Sequence, residues 1–392
     1  MAETIVIGAG QAGLALSYHL SAAGHDHLLL ERGRIGERWH SERWDSLRML
    51  TPNWLNRLPG APAHADPDGY LSAAAFASYL EAYAASFGAP VAEGVAVEAV
   101  ERSGRGFCVR TDRGTHAAHA VVIATGDAAA PSVPMVAADA PAGVVQLHSS
   151  AYRSPAALPD GGVLVVGAGP SGQQIALELR RAGRPVVLAV GRHARGVRRY
   201  RGRDIWHWLA ALGTLDQTID EVANPAAARR TPNLPLSGAN GGEQLDLRVL
   251  ADAGVVVTGR LTGFDGTRAL FGRNLRADVR AAEQRLRRVL ARIDAHVGAV
   301  SPEPVAPVGE LPGVASLDLR AAGVATVLWA TGYRGRDLAH RRGVTPVPGL
   351  YALGLRFQHR RSSHLIGGVG HDAEYLAGRI LAAGARPALA AA

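Results

Sequence analysis

Two short glycine-rich segments are the part of this chain whose residue types and spacing can do chemistry. They read GAGQAG at residues 8–13 and GAGPSG at residues 167–172. In such a segment the first glycine permits a tight turn, the second lets the backbone approach a pyrophosphate, and the third allows close helix–strand packing. The chain has a single cysteine, Cys108, so it contains no dithiol that could accept electrons. The pattern predicts two dinucleotide sites without a dithiol.

The first glycine turn has the flanking elements that a dinucleotide site needs. Residues 4–7 form a β-branched run before it, and residues 11–23 have a helical pattern whose N-terminus favours an anion. A second apolar run, residues 27–30, ends in Glu31, 23 positions after Gly8, where a carboxylate can accept hydrogen bonds from ribose hydroxyls. We interpret this unit as the FAD site, with contacts expected from Gly8, Gly10, Gly13 and Glu31.

The second turn repeats this layout with one difference. The position 23 residues after Gly167 is Val190 instead of an acid, and Arg192 follows it, with Arg195, Arg198 and Arg199 close behind. A carboxylate there would repel a 2′-phosphate, whereas the planar guanidinium of arginine pairs with one. A solvated basic face is the alternative for any single arginine. We interpret this unit as the NADPH site, with contacts expected from Gly167, Gly169, Ser171, Gly172, Gln173, Arg192 and His193.

Composition excludes several function classes. The chain has 392 residues, of which 47% are hydrophobic, and a formal net charge of +8; this length suffices for two domains. All 42 basic residues are arginine, which excludes Schiff-base and Walker-lysine chemistry. The arginines lack interleaved aromatic residues, so we expect no nucleic acid partner. No metal-ligand motif, signal peptide or membrane span is recognisable, and we expect a cytoplasmic protein without a metal.

The order of predicted elements gives an α/β fold with two Rossmann-like domains. We expect the first part of an FAD domain at residues 1–150, an NADPH domain at residues 151–310, and a return segment of the FAD domain at residues 311–392. The NADPH domain is then inserted into the FAD domain. Residues 143–155 resemble an irregular linker, and the predicted strands at residues 324–329 and 350–353 are expected to return to the first domain.

Four further segments carry a family resemblance across nearly the whole chain. They are GERW at residues 36–39, RWDSLRMLTP at residues 43–52, ATG at residues 124–126 and WATGY at residues 329–333. Together with the two turns, they make the sequence resemble the flavin-containing (class B) flavoprotein monooxygenases and related bacterial FAD-dependent oxidoreductases. The resemblance implies additional cofactor contacts at Arg32, Trp39, Thr51, Thr125, Gly126, Thr331 and Gly332.

The resemblance also implies a reaction. NADPH would reduce FAD, and the reduced flavin would react with dioxygen to a C4a-(hydro)peroxide that oxygenates a small amine, thioether or ketone. Asn53 is the candidate catalytic residue, as a hydrogen-bond donor near flavin N5, and a turn-capping role beside Pro52 is the alternative. Two other functions stay open at this point: a reductase that passes electrons to a protein or quinone, and a flavin-binding protein without catalysis.

Two departures from the family pattern stand out. The family fingerprint F-x-G-x-x-x-H-x-x-x-Y retains His148 and Tyr152, but Ala142 and Val144 occupy the Phe and Gly places. His148 is therefore either a domain linker or a simple packed histidine. The segment after Tyr333 is also shorter than in relatives. The sequence leaves open the substrate, the site of oxygenation and the oligomeric state, for which a homodimer is one option.

Overall fold

Two largely parallel sheets, each built on one of the glycine turns, organise the chain. The computed structural model describes residues 2–104, 106–128, 130–335 and 338–384. The first sheet has the strand order β3-β2-β1-β6-β5-β4, and β19 also pairs with β6. Its strands are β1 (Ala2–Ile7), β2 (His27–Leu30), β3 (Val91–Ala92), β4 (Val97–Ser103), β5 (Gly106–Thr111), β6 (Gly114–Ile123) and β19 (Leu350–Ala352).

The second sheet is parallel throughout, with the order β13-β10-β9-β17-β8. Its strands are β8 (Val145–His148), β9 (Gly162–Val166), β10 (Val186–Ala189), β13 (Val256–Thr258) and β17 (Val324–Trp329). Every residue of β9 and β10 is buried, because helices or other strands cover both faces of a parallel sheet. Smaller strands are β7 (Ala130–Pro131), β11 (Arg199–Tyr200), β12 (Arg203–Asp204), β14 (Leu261–Asp265), β15 (Arg268–Phe271), β16 (Ser316–Asp318) and β18 (Tyr333–Arg334).

The helices of the described residues connect and cover these sheets. They are α1 (Gln11–Ala22), α2 (Glu37–Ser41), α3 (Ala73–Ser86), α4 (Pro170–Arg181), α5 (Ile205–Ala211), α6 (Pro225–Arg229), α7 (Ala239–Gly242), α8 (Leu247–Asp252), α9 (Leu275–His296) and α10 (Val369–Gly384). Helix α3 begins where the Ser72 hydroxyl accepts a hydrogen bond from the Ala75 N–H (3.1 Å), which caps the helix. Within the described ranges, no helix is both long and apolar enough to cross a membrane.

Hydrophobic packing against the two sheets holds each glycine turn in place. On one face of the first sheet, Leu14 and Leu16 of α1 pack with Phe76 of α3 and Leu376 of α10. In the second sheet, Ile175 of α4 packs against the strands on one face, and β14, β15 and β16 cover the other. Burial of apolar surface stabilises a fold by about 25 cal/mol per Å². This packing fixes the position of each turn relative to its helix.

The insertion of the second dinucleotide unit into the first is confirmed, but the return point differs from the prediction. The expectation that residues 324–329 rejoin the first sheet is wrong, because β17 lies between β9 and β8 in the second sheet. Its apolar residues suit a central parallel strand of either sheet, so the local pattern could not choose. The chain returns to the first sheet at β19, which pairs with β6. The division at residues 150 and 310 stays a prediction.

The segment predicted as an irregular linker also contains a strand. Residues 145–148 form β8, which pairs only with β17 and is the edge of the second sheet in the described chain. Because an edge strand is partly open to solvent, Val145 and Gln146 are exposed, and the strand lacks the apolar run that would have marked it. The proline-rich residues 301–312 are irregular.

Candidate functional site

A cavity of about 780 Å³ lies between the two glycine turns. Its walls come from the start of α1, from the segment at residues 47–51, from the start of α4 and from the segment that precedes α10. The sequence-predicted cofactor residues that line it are Gly8, Gly10, Glu31, Arg32, Trp39, Thr51, Thr125, Gly126 and Ser171. The fold therefore brings residues of both predicted dinucleotide sites to one space.

The first turn has the geometry that a pyrophosphate requires. Gly8 has a φ of +106°, and a Cβ there would lie 2.8 Å from the Ala124 carbonyl oxygen. A Cβ on Gly13 would lie 1.9 Å from the Gly8 carbonyl oxygen, so only glycine permits this contact between helix and strand. At Gly10 a Cβ would meet no atom within 4 Å. The open space above Gly10, at the start of α1, is a place where a phosphate can approach the backbone.

Glu31 supports this turn from the end of β2. Its carboxylate accepts hydrogen bonds from the Ala9 N–H (2.9 Å) and the Gly33 N–H (3.1 Å), and the residue is only 8% exposed. Each carboxylate oxygen can accept more than one hydrogen bond, so these contacts leave capacity for ribose hydroxyls. The adjacent Arg32 is exposed and pairs with Glu42 (2.9 Å).

The second turn has the same arrangement as the first at each of its three glycines. Gly167 has a φ of +111°, and a Cβ there would lie 2.4 Å from the Ala330 carbonyl oxygen. A Cβ on Gly172 would lie 1.9 Å from the Gly167 carbonyl oxygen, and one on Gly169 would meet nothing within 4 Å. Both turns thus close against an Ala-Thr-Gly segment and leave the middle glycine open. The residues of each turn fit the pyrophosphate of a dinucleotide.

Several predicted residues near the second turn support it without lining the cavity. The buried Gln173 donates from Nε2 to the Ala168 carbonyl oxygen (2.9 Å), whereas its neighbour Gln174 lines the cavity. Thr331 donates to the Ser132 carbonyl oxygen (2.5 Å). Gly332 accepts from His148 Nε2 (2.9 Å). His148 therefore connects the end of β8 with the segment that follows its neighbouring strand β17.

Of the arginines after β10, two are occupied by buried ion pairs. Arg195 pairs with Asp246 (3.0 Å) and Glu283 (2.9 Å). Arg198 is 2% exposed and pairs with Asp204. The alternative of a solvated basic face is wrong for these two, because both side chains are buried beside carboxylates. The exposed Arg199 donates to the Gly241 and Gly242 carbonyl oxygens.

Arg192 lies exposed at the end of β10, where its guanidinium donates to the Arg230 carbonyl oxygen (2.9 Å). His193 is buried, and burial lowers its pKa. Sequence reasoning missed Arg260, which follows the neighbouring strand β13. Its guanidinium would lie 3.1 Å from a Cβ at Gly191, so it occupies the space that the missing side chain leaves. Strand pairing, which the sequence does not show, brings Arg260 to this point.

Asn53 and the tryptophans occupy different surroundings. Asn53 Nδ2 donates to the Asp66 carbonyl oxygen (2.9 Å), and its Oδ1 accepts from the Leu71 N–H (3.1 Å). Both polar groups thus hold the surrounding loop, and Asn53 is absent from the described residues that line the cavity. Trp39 and Trp206 line it. Trp206 Nε1 donates to the Leu50 carbonyl oxygen (3.0 Å), which fixes this segment of the cavity wall.

A cavity wall that sequence reasoning missed comes from residues 363–366 and Val369. It includes His364, whose pKa burial lowers to about 4, with a smaller contribution from the charge of Arg356. His364 is therefore neutral near pH 7. The only signal in the sequence was a group of histidines, serines and arginines before a helical pattern. No cluster of His, Cys, Asp or Glu that could hold a metal ion is present among the described residues.

Comparisons with known proteins agree with this geometry. A family model described as pyridine nucleotide-disulphide oxidoreductase matches residues 5–210. An uncharacterized oxidoreductase, CzcO-like, from Geobacillus kaustophilus is 33% identical over 396 residues, which cover 97% of this chain and 98% of that protein. The probable indole-3-pyruvate monooxygenase YUCCA4 of Arabidopsis thaliana is 34% identical over 181 residues, 45% of this chain and 44% of that protein.

A flavin-containing monooxygenase from Stenotrophomonas maltophilia has a similar fold, with a TM-score of 0.66 and 20% identity over 98% of this chain and 99% of that chain. The expected α/β fold with two Rossmann-like units and the resemblance to flavin monooxygenases are confirmed. The chain belongs to the pyridine nucleotide-disulphide oxidoreductase family and is an oxidoreductase with the fold of a flavin monooxygenase.

Proposed function

We propose that this oxidoreductase is an NADPH-dependent flavin monooxygenase. In this proposal FAD binds at the first glycine turn, NADPH binds at the second, and a small organic substrate is oxygenated with dioxygen. The observation that carries the proposal is the shared cavity, because Gly10 and Gln11 of the first turn and Pro170 and Ser171 of the second line the same space. Two cofactors held at these turns would extend into that space and meet there.

FAD, when bound, supplies an acceptor for the hydride of NADPH and a centre that reacts with dioxygen. The protein holds the dinucleotide with the open backbone at Gly10, the N-terminus of α1 and the Glu31 carboxylate. Trp39 and the segment at residues 49–51 form part of the cavity wall. Such walls exclude water, which protects reactive species from side reactions.

The end of β10 supports a coenzyme with a 2′-phosphate. Arg192 and Arg260 approach this point from neighbouring strands, and Arg285 donates to the His193 carbonyl oxygen (2.6 Å). The pKa of Arg285 is lowered by burial and by the charge of Arg192. Guanidinium groups that repel one another are stabilised by an anion between them. The 2′-phosphate of NADPH supplies this anion, and NADH does not.

Dioxygen is the acceptor that the side chains favour. A disulphide acceptor, which the family description allows, would need a thiol beside the flavin. The sole cysteine lies on β5 in the first sheet and is absent from the described residues that line the cavity. A reductase that uses a quinone or a protein acceptor is the remaining alternative, and the experiment below separates it.

The test is oxygen-dependent NADPH consumption by FAD-loaded protein with amines, thioethers and ketones, followed by product analysis with isotopically labelled dioxygen. The proposal expects label from dioxygen in the organic product. NADPH consumption that reduces an added quinone equally well without dioxygen, with no labelled product from any substrate class, would support the reductase instead. Purified protein that stays colourless after incubation with FAD would refute both functions.

The coenzyme assignment has its own test. Arg192→Ala is expected to raise the NADPH KM about tenfold, since a hydrogen bond between charged groups contributes about 1.5–3 kcal/mol, and to leave the NADH KM nearly unchanged. Arg203→Ala is the matched control, because Arg203 is exposed on the nearby β12. Equal effects of Arg192→Ala on the two coenzymes would remove the 2′-phosphate from the proposal.

A further inference from the structure

The cavity wall at residues 47–51 lies at the boundary between the cores of the two sheets. All five residues of this wall line the cavity, and they belong to the segment that connects α2 with α3. Leu47 packs into the core of the second sheet, and Met49 packs into the core of the first. The position of this wall therefore depends on contacts with both halves of the molecule.

One carbonyl group in this wall accepts two hydrogen bonds from residues that follow β10. The Leu50 carbonyl oxygen accepts from Arg198 Nη1 (2.8 Å) and from Trp206 Nε1 (3.0 Å). A carbonyl oxygen has two lone pairs, so these two donors use its full capacity. Trp206 also lines the cavity. Two parts of the cavity wall that are distant in the chain are thus joined at the Leu50 oxygen.

Arg198 is held in place by contacts on its other side. It is 2% exposed, and its Nη2 donates to Asp204 Oδ2 and to the Tyr70 hydroxyl (2.7 Å). The guanidinium lies over the Tyr70 ring, 4.4 Å from its centroid. The backbone of Arg198 is also fixed, because its N–H donates to Gln244 Oε1 (2.8 Å) and its carbonyl oxygen accepts from the Ile205 N–H (3.0 Å). A planar guanidinium held in this way keeps its donors in fixed directions.

Asp204 orients both of the donors that reach Leu50. Its Oδ2 pairs with Arg198, and its Oδ1 accepts a hydrogen bond from the Trp206 N–H (2.8 Å). The second contact caps the N-terminus of α5. One carboxylate therefore sets the positions of Arg198 and Trp206 relative to each other and to the Leu50 carbonyl oxygen.

The donors belong to the part of the chain that would bind NADPH. Residues 193–198, which connect Arg192 with Arg198, are all buried. Arg192 lies at the end of β10, where the 2′-phosphate is proposed to bind. The wall at residues 47–51 is therefore attached, through Arg198, to the same buried segment that begins at the proposed coenzyme contact.

The proposed monooxygenase function needs a closed cavity, and this inference rests on that function. With both cofactors bound, NADPH, one proton and dioxygen can instead give NADP⁺ and hydrogen peroxide, and no oxygen atom then reaches the substrate. Exclusion of water suppresses such side reactions. We propose that Arg198 is a positioning residue of this cavity, which acts through the Leu50 carbonyl to hold the wall at residues 47–51 closed against water.

The main variant is Arg198→Lys, which keeps a cation beside Asp204. The bonds to Leu50 and to Asp204 leave from different guanidinium nitrogens, and one ammonium nitrogen cannot take both places. Lysine therefore retains the ion pair and loses the hydrogen bond to the wall. Arg203→Lys is the matched control, because Arg203 is exposed on β12. Trp206→Phe is the second variant, because it removes the other donor and keeps an aromatic ring in the cavity.

The first experiment needs no turnover and measures hydrogen exchange of FAD-loaded protein by mass spectrometry. The Met49 N–H donates to the Leu71 carbonyl oxygen (2.8 Å), so a peptide that covers residues 47–51 contains a protected amide. Arg198→Lys and Trp206→Phe are expected to raise its exchange rate about tenfold, with α1 and α4 unchanged and Arg203→Lys equal to the wild type. Wild-type exchange of this peptide in both variants would overturn the proposal. An equal increase throughout the protein would show a merely structural role and would also overturn it.

The second experiment measures hydrogen peroxide and oxygenated product for each NADPH consumed. The ratio of peroxide to product is expected to rise about tenfold in Arg198→Lys, in proportion to the opening of the wall. The NADPH KM should stay at the wild-type value, because the contact at Arg192 is unchanged. Arg203→Lys should match the wild type in both quantities. A raised NADPH KM with an unchanged ratio would place Arg198 with the coenzyme and overturn the proposal.

The two experiments separate this inference from the proposed function. Wild-type protein that binds FAD but gives no oxygenated product would refute the monooxygenase function and the role of Arg198 in it, whatever the exchange data show. An active monooxygenase whose exchange and peroxide ratio are unchanged in both variants would refute the inference alone. If Arg198→Lys fails to fold, Trp206→Phe decides the matter, because it leaves the ion pair of Arg198 with Asp204 in place.

Discussion

The pH dependence of stability gives a direct measure of the cost of burying Asp372. Burial raises the pKa of this carboxyl from its ordinary 3.8 to about 6. Because the pKa is higher in the folded protein, the folded protein binds more protons than the unfolded chain at any pH between these two pKa values. The contribution of the Asp372 carboxyl to the free energy of unfolding is therefore fully present below about pH 4. It is lost as the pH rises through about 6. The difference of pKa corresponds to about 3 kcal/mol.

Replacement of the acid should remove this loss. Asp372→Asn keeps the size of the side chain and cannot ionise, so its stability relative to the wild type should be nearly unchanged at about pH 4 and higher by up to about 3 kcal/mol at about pH 8. The assay is urea unfolding of both proteins across this pH range, with the same excess of FAD throughout, because ligand binding shifts apparent stability.

A control separates this effect from a general change of helix α10. Glu374→Gln removes an exposed carboxylate on the same helix and should give a difference from the wild type that does not depend on pH over this range. A pH-independent difference for Asp372→Asn, or a variant that is less stable than the wild type at high pH, would refute the reasoning. The first result would mean that folding leaves the pKa of Asp372 unchanged, and the second would mean that the folded protein stabilises the ionised carboxylate.

Three further predictions follow from the turns and the junction between the sheets. Gly13→Ala should abolish FAD retention, measured by flavin absorbance, because its Cβ would lie 1.9 Å from the Gly8 carbonyl oxygen; normal flavin content would contradict this. Gly169→Ala should keep the fold, since nothing lies within 4 Å of its Cβ, and weaken NADP⁺ binding about tenfold by calorimetry; unchanged affinity would exclude a pyrophosphate at this glycine. Tyr70→Phe should lower the free energy of unfolding by about 1–3 kcal/mol, because the Tyr70 hydroxyl donates to Asp204 Oδ2 (2.7 Å); equal urea midpoints would show that this half-buried contact contributes nothing.

Local structure was largely predictable because it depends on local pattern. The strand at residues 27–30 agrees with the structure to the residue. The glycine turns could be interpreted because only glycine tolerates a positive φ and an approach of 1.9 Å between a Cβ position and a carbonyl oxygen. Such requirements appear in the sequence as residue type and spacing.

Sheet partners were not predictable in the same way. An apolar strand such as Val324–Trp329 satisfies any central position of a parallel sheet, so its own residues do not identify its neighbours. The arginines after β10 present the same problem. Arg195 is paired with Glu283, 88 positions away, and no local feature distinguishes it from the exposed Arg192.

The sequence by itself determined the two dinucleotide turns, the acid at Glu31 and the lack of a dithiol, because each of these is a matter of residue type at a short spacing. Only the tertiary structure decided that the two turns share one cavity, that Arg260 reaches the end of β10 and that Asp372 is buried in the first turn of α10. The physical reason is that burial and strand pairing depend on segments that are distant in the chain, and these acquire their positions only when the sheets and helices pack.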